Sequence, residues 1–290
     1  MDRLRLAYSP CPNDTYVFHA WVHGLVPGVP PVEERLEDID VLNHLALRGE
    51  ADVVKVSMHA FAHLQESYAL LHSGGALGRG CGPLVVARKD SRLRPAASVQ
   101  RVAALADHLG QARVAIPGEL TTAALLLGLF TGGIARPVVM PFERIMPAVS
   151  SGQVDAGVII HEGRFTYAAH GLRRLVDLGE WWEETTGLPI PLGGIVVSRT
   201  LERSLQQSAE SAMRASVEYA GLHPDAALAY VRAHAQEMDP AVCQAHIDLY
   251  VNEFTRDYGS EGEEAIRRLL RTAAELGLSP GSEKSLFWDG

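Results

Sequence analysis

Cysteine is scarce in this chain: Cys11, Cys81 and Cys243 are the three in 290 residues. An odd number without a Cys-x-x-Cys spacing argues against a disulfide framework and against a thiolate zinc site. It also suits a reducing compartment. Long apolar runs are missing too. Stretches such as 123–130 fall far short of the roughly 20 apolar residues that span a bilayer. The opening MDRLRLAYSP carries charges and lacks the apolar segment and small-residue cleavage site of a secretory signal. A cytoplasmic location is therefore expected. Basic charge is in deficit, with 26 Lys plus Arg against 35 Asp plus Glu and a formal net charge of −9. A phosphate backbone demands a basic footprint, so nucleic acid is not an expected partner, and neither is a membrane. With 47% hydrophobic and 21% charged residues, the composition is that of a folded globular protein. At this length two domains are expected, serving a small molecule.

What the chain has in abundance is alternation. LRLAYS (4–9) reads as a strand, and TYVFHAWVHG keeps a helical period that stops at Gly24. VEERL (32–36) reads as a strand and DIDVLNHLALRG as an amphipathic helix closed by Gly49. ADVVKVS (51–57) is then a buried strand leading into a helix over MHAFAHLQESYALL. The same grammar returns with ARVAIPG (112–118), the helix LTTAALLLGLFTGG, RPVVMPF (136–142), the helix ERIMPAVSSG and DAGVIIH (155–161). LRGEADVVKVSMH and VSSGQVDAGVIIH share a glycine helix stop, an aspartate and an apolar strand with a polar end. Two copies predict two similar α/β lobes, each a mainly parallel sheet flanked by helices. A solenoid would need more repeats. The competing explanation is that any two β-α-β units look alike.

GPLVVARKD (82–90) and GGIVVSRTL (193–201) flank the second copy, where a chain would cross from one lobe to the other and return. From about Leu201 to Leu278 the pattern is helical: LERSLQQSAESAMRASVEYAGL, HPDAALAYVRAHAQEM, DPAVCQAHIDLYVNEF and SEGEEAIRRLLRTAAELGL. The expected layout is a first lobe of residues 1–86 and 195–290, with a second lobe, 87–194, inserted in it. A ligand cleft would lie between the two.

Open α/β sheets bind ligands beyond the carboxyl ends of their strands, and four such ends carry polar groups here. Beyond LRLAYS stand Ser9, Asn13, Asp14 and Thr15, all candidates to line the cleft. Lys55 interrupts an apolar strand, so its ammonium needs a strand end, a partner or a ligand. A buried ion pair and a ligand contact fit it equally. Ser57 ends that strand as a helix cap or a ligand contact. Thr121 and Thr122 open a helix, where they can hold an anion or simply cap. His161 ends an apolar strand and titrates near neutrality, which suits a general base or a hydrogen-bonded structural histidine. Strand alternation points Glu162 to the opposite face.

Other candidates are weaker. His59 and His63 share a helix face but lack a third ligand at recognisable spacing, so no metal is expected. SGGALGRGCGP (73–83) is neither a P-loop nor G-x-G-x-x-G. It reads as a flexible connection, with Arg79 as a carboxylate partner at the cleft. Cys11 has no assignable histidine partner for nucleophilic work. Trp181 and Trp182 either border the cleft or pack.

SPCPNDTYVFHAWVHG, LEDIDVLNHLALRGEADVVKVS, SGGALGRGCGPLVVAR, VIIHEGRFTY and DLGEWWEETTGLPIPLG resemble the 1,4-dihydroxy-6-naphthoate synthases of the futalosine route to menaquinone. The likeness covers most of the chain to about Ser198, and the helical tail is similar in layout. The resemblance implies a type II periplasmic-binding-protein-like fold used as a cytoplasmic enzyme. It also implies conversion of cyclic dehypoxanthinyl futalosine to 1,4-dihydroxy-6-naphthoate with loss of dihydroxyacetone, and neither metal nor organic cofactor. It makes His161 in IIHE the proton acceptor. Lys55, Val56, Ser57, Thr121 and Thr122 become contacts to a carboxylate substrate, Val56 mainly through its backbone. Two rivals share the fold: a solute-binding protein for a small carboxylate, which needs no base, and a chorismate dehydratase, which would lack SPCPNDT together with IIHE-x-RFTY. Overall acidity cannot attract a carboxylate, so attraction is expected to be local, from Lys55 and the helix start at Thr121.

Overall fold

Short β-branched runs whose side chains are all buried require sheets covered on both faces, and two such sheets form here. The computed structural model describes residues 3–96, 99–235 and 239–290. Met1 and Asp2 of the opening segment and the end of HPDAALAYVRAHAQEM, 236–238, lie outside the described residues.

The first sheet contains β1 (Leu4–Tyr8), β2 (Val32–Leu36), β3 (Val53–Ser57), β4 (Tyr68–Leu70) and β5 (Ala76–Gly78). The second contains β6 (Leu84–Arg88), β7 (Val114–Ile116), β8 (Val138–Val139), β9 (Ala156–Ile159) and β10 (Leu172–Asp177). The late strand β11 (Ile190–Ser198) returns to the first sheet. Strand order is β2-β1-β3-β11-β4 in the first sheet, with β5 also on β11, and β10-β6-β9-β7-β8 in the second. In each sheet three parallel strands, β2-β1-β3 or β8-β7-β9, are followed by an antiparallel one, β11 or β6. The repeat seen in the sequence thus corresponds to one shared plan.

The sheets are mixed rather than mainly parallel. Parallel neighbours need a crossover connection, whereas β6 and β11 arrive from the other half of the molecule and run antiparallel. Each of these strands sits whole in one sheet, so boundaries at 86/87 and 194/195 would cut through them. Along sheet membership the chain crosses between β5 and β6 and returns between β10 and β11.

Helices cover the faces: α1 (Pro12–Val22), α2 (Ile39–Leu47), α3 (Met58–Leu64), α4 (Val99–Gln111), α5 (Thr122–Phe130), α6 (Phe142–Ser150), α7 (Gly163–Thr166) and α8 (Leu178–Thr186). The tail forms α9 (Arg203–Leu222), α10 (Leu228–His234), α11 (Pro240–Tyr250), α12 (Glu253–Arg256) and α13 (Gly259–Glu275). It packs on the first sheet's side, where α1 lies against α9, α10 and α11. Ser216 fastens α9 to α1, donating to Val17 O at 2.6 Å and accepting from Trp21 N at 3.0 Å.

Three local readings change. The helix over MHAFAHLQESYALL stops at Leu64, and Tyr68–Leu70 instead pairs with β11. The glycine-rich 73–83 contains β5, held by β11 rather than free. DPAVCQAHIDLYVNEF breaks at Asn252, whose capping box starts α12. Each change depends on a partner distant in sequence or on a cap, and hydrophobic period alone registers neither.

Where the chain enters and leaves the second sheet, backbone meets backbone. A Cβ on Gly82 would lie 2.3 Å from Gly179 Cα, and one on Gly179 would lie 2.7 Å from Gly82 Cα. Arg164 locks the same point, donating to Gly82 O and to Asp177 at 2.6 Å each. Asp177 is fully buried and caps α8. Gly82→Ala is expected to lower stability by about 1–3 kcal/mol through overpacking, read as a lower urea midpoint. An unchanged midpoint would show that this approach is not tight.

Candidate active site

The carboxyl ends of the parallel strands in both sheets converge. Ser9 follows β1, Ser57 ends β3, residues 117–122 follow β7, and His161 follows β9. Between them lies a cavity lined by Ser9, Asn13, Asp14, Lys55, Ser57, Thr121, Thr122 and His161 among others. Eight of the sequence candidates therefore share one chamber.

Its floor is a chain of buried charges and amides. Lys55 Nζ donates to Asp14 Oδ1 at 2.6 Å, with side chains only 5% and 3% exposed. Ser9 Oγ donates to Asp14 Oδ2 at 2.7 Å and Asn13 Nδ2 to Asp14 Oδ1 at 2.8 Å. Asp14 sits in the first turn of α1, where a negative charge meets the helix dipole favourably. Gly193 on β11 leaves room for Lys55, because a Cβ there would sit 3.2 Å from Lys55 Cε and 2.8 Å from Val56 O. Lys55 is thus ion-paired. Its charge is offset by Asp14 and is not a bare attractor for an anion.

The threonines are engaged as well. Thr121 caps α5, accepting from Ala124 N at 3.2 Å and donating to Gly118 O at 2.8 Å. Thr122 Oγ1 accepts from Met58 N at 3.0 Å and donates to Leu192 O, joining the start of α5 to α3 and β11. What α5 offers the cavity is its first-turn N–H groups, at Thr122 and Ala123, which no helical carbonyl can accept. Ser57 is held by Asn43, which accepts from Ser57 N at 2.9 Å and donates to Ser57 Oγ at 3.2 Å.

His161 has a φ of 51°, in the left-handed region that non-glycine residues rarely adopt. The turn ends strand alternation, so Glu162 does not face away. Both residues line an outer hollow beside Asp38 and Phe142. His161 lines hollow and cavity alike. Cys11 Sγ lies 3.3 Å from His161 Nδ1, and the ring of Phe142 meets the imidazole edge-on at 5.5 Å. Burial, with Lys55 adding to it, lowers the pKa of His161 below its ordinary value, against the pull of Glu162, Asp14 and Asp38. The imidazole is therefore neutral at neutral pH. The histidine partner that Cys11 lacked in the sequence is now present. Burial, Asp14 and Glu162 push the Cys11 thiol well up, so it stays protonated, unlike a nucleophilic thiolate.

Several candidates lie elsewhere. Thr15 is buried in α1 and donates to Cys11 O at 3.0 Å. The Val56 side chain is in the core. Arg79 is on the surface, bound to Glu261 at 2.7 Å and to Gly187 O at 3.0 Å. Trp182 is buried and donates to Pro189 O at 3.2 Å, while Trp181 packs edge-on to Phe130. His59 bonds Leu278 O at 3.2 Å. Among the described residues no group of three or more His, Cys, Asp or Glu could hold a metal ion, and no helix is long and apolar enough to cross a membrane.

The family described as menaquinone biosynthesis matches residues 4–275. The chain belongs to the menaquinone biosynthesis family. It is 52% identical to a protein of Streptomyces coelicolor named 1,4-dihydroxy-6-naphthoate synthase, covering 96% of this chain and 95% of that one. A Thermus thermophilus protein of the same name is 48% identical, covering 99% and 100%. A crystal structure of an Archaeoglobus fulgidus protein matches with a TM-score of 0.84 at 36% identity, covering 95% of this chain and 98% of that one. The periplasmic aliphatic sulphonate binding protein of Escherichia coli matches with a TM-score of 0.66 at 13% identity, covering 100% and 92%, which shows the fold alone. The fold is periplasmic-binding-protein-like.

In this member of the menaquinone biosynthesis family the site also takes residues that the strand ends do not supply. His246 and Tyr250 reach the cavity from α11, and Asn43 supports it from α2. His246 Nε2 lies 2.9 Å from Asn13 Oδ1, and its ring stacks on His161 at 6.2 Å with an interplanar angle of 18°. Burial, His161 and Lys55 lower its pKa to about 3. Cys243, His246, Ile247 and Tyr250 form one buried helical stripe. A histidine within such a stripe was the available signal.

Proposed function

We propose that this chain is a 1,4-dihydroxy-6-naphthoate synthase, a cofactor-independent cytoplasmic carbon–carbon lyase. It converts cyclic dehypoxanthinyl futalosine, a small carboxylate, to 1,4-dihydroxy-6-naphthoate and dihydroxyacetone. The observation that carries the reading is His161, a neutral imidazole held at a strained turn on the wall of a cavity that both sheets enclose. Cleaving a carbon–carbon bond beside a carbonyl needs a base for a hydroxyl proton and donors for the developing oxyanion. His161 is that base. Its Nδ1 lies 3.3 Å from the Cys11 sulfur, and we assign the proton to Nδ1 so that Nε2 acts as the base.

The open N–H groups at the start of α5 hold the substrate carboxylate, because Lys55 is already neutralised by Asp14. Lys55, Ser57 and the backbone beside Val56 then shape the opposite wall, with Ser9 and Asn13 beside them. Ile160, Leu192 and Tyr250 give the aromatic ring apolar surface. Contacts between the two halves, Met58 N with Thr122 and Cys11 with His161, keep water from the carbanion-like intermediate.

Incubation with cyclic dehypoxanthinyl futalosine is expected to release the naphthoate, detected by absorbance and mass. Folded protein that forms no product rejects the reading. Tight binding of a nutrient without turnover would favour the solute-binding alternative, and consumption of chorismate the dehydratase. Because the base works unprotonated and its pKa is lowered, kcat/KM is expected to rise with pH through a limb below about 6.5, the ordinary histidine value. A limb above that value would exclude His161 as its source.

A further inference from the structure

The tautomer of His246 follows from its neighbours. Asp14 is an acceptor, fixed by the ammonium of Lys55 at 2.6 Å and the hydroxyl of Ser9 at 2.7 Å. Asn13 must therefore turn its amide nitrogen to Asp14, at 2.8 Å, which leaves its oxygen facing His246. An oxygen that only accepts requires a proton on His246 Nε2. A neutral imidazole carries one N–H, so Nδ1 bears a lone pair. The ring is 1% exposed and lines the cavity, and among the described residues no group hydrogen-bonds Nδ1. A buried acceptor left unsatisfied is costly, and a ligand hydroxyl can satisfy it.

We propose that His246 is a substrate-recognition residue whose bare Nδ1 accepts a hydrogen bond from a hydroxyl of the bound substrate, beside the base His161. The inference rests on the function proposed above and deepens it. Two near-parallel imidazoles face one chamber and divide the work: His161 removes a proton, and His246 holds a hydroxyl in place. Burial keeps His246 neutral well into the acid range, so the acceptor persists wherever the enzyme works. The chain from Lys55 through Asp14 and Asn13 serves to fix this tautomer. That gives the buried ion pair a use beyond folding.

Two substitutions separate recognition from support. His246→Gln places its amide where Nε2 stands, keeping the bond to Asn13 and losing the acceptor at Nδ1. His246→Asn places its amide oxygen where Nδ1 stands and gives up Asn13. The expected result is KM raised about tenfold in H246Q, the scale of one hydrogen bond, with the acid limb of kcat unmoved. H246N recovers most of that loss. The reverse order, or equal losses in both, overturns the proposal, because His246 would then act only through Asn13. ¹⁵N spectra of the free protein give a reading independent of turnover. An unprotonated, pyridine-type Nδ1 is expected across the neutral range, and a proton on Nδ1 overturns the proposal even in an inactive protein. Failure of the proposed function would instead show as wild-type protein that yields no naphthoate.

Discussion

Replacing His161 by alanine is expected to lower kcat by about 10²–10⁴-fold, the range a positioned general base contributes, while KM changes little. The split follows from where the residue sits. Ser57, the start of α5 and His246 are untouched by the substitution, so the surfaces that hold the substrate remain. Alanine at φ 51° carries the same backbone strain as the histidine it replaces, so the substitution adds none. Folding is therefore expected to be preserved, which a thermal unfolding scan checks alongside the kinetics. The cavity that is left has room for a small base, and added imidazole should restore part of the rate. Turnover in His161→Ala within about threefold of wild type would remove His161 from the base role.

The second large effect concerns the buried pair. Asp14→Asn leaves the Lys55 ammonium without its counter-charge, and Lys55→Met leaves the Asp14 carboxylate with only Ser9 and Asn13 as donors. Each is expected to cost about 3–5 kcal/mol of unfolding free energy, the scale for stripping one partner from a buried ion pair. The joint replacement Asp14→Asn with Lys55→Met should cost less than the sum of the single changes, since no charge is then stranded. Urea unfolding of the four proteins forms a double-mutant cycle that reads the coupling directly. Additive losses, or single losses under about 1 kcal/mol, would show that the pair is solvated despite its burial.

The two predictions test different layers of one site. His161 is legible in sequence because it stands at the end of a strand, where open α/β sheets put chemistry. Lys55 is legible as an anomaly, a charge within an apolar strand, but not its partner. Asp14 lies 41 residues earlier, in a helix whose position against β3 depends on the sheet. The same holds for the threonines. Their placement at a helix start is readable, and so is the local cap by Thr121, whereas the engagement of the Thr122 hydroxyl depends on Leu192 and Met58, which reach it from the other sheet's side. Arg79 and Thr15 fail as cleft residues for a related reason. Polarity near a strand end does not say which way a side chain leaves the backbone, and Arg79 leaves toward Glu261 on α13.

The scarcity of cysteine, long apolar runs and basic charge set the class of molecule, and the internal repeat set the two-sheet plan. The motifs around Ser9 and His161 set the family. These are local properties: period 2 against period 3.6, glycine stops and short motifs all act within a few residues. Tertiary structure alone decided that the returning strands run antiparallel and that Asp14 neutralises Lys55. It also set Cys11 against His161 and brought His246 in from α11 to complete the chamber. Each is a contact between residues far apart in the chain. The order of the strands and the packing of the tail bring such residues together, and local pattern does not record where they meet.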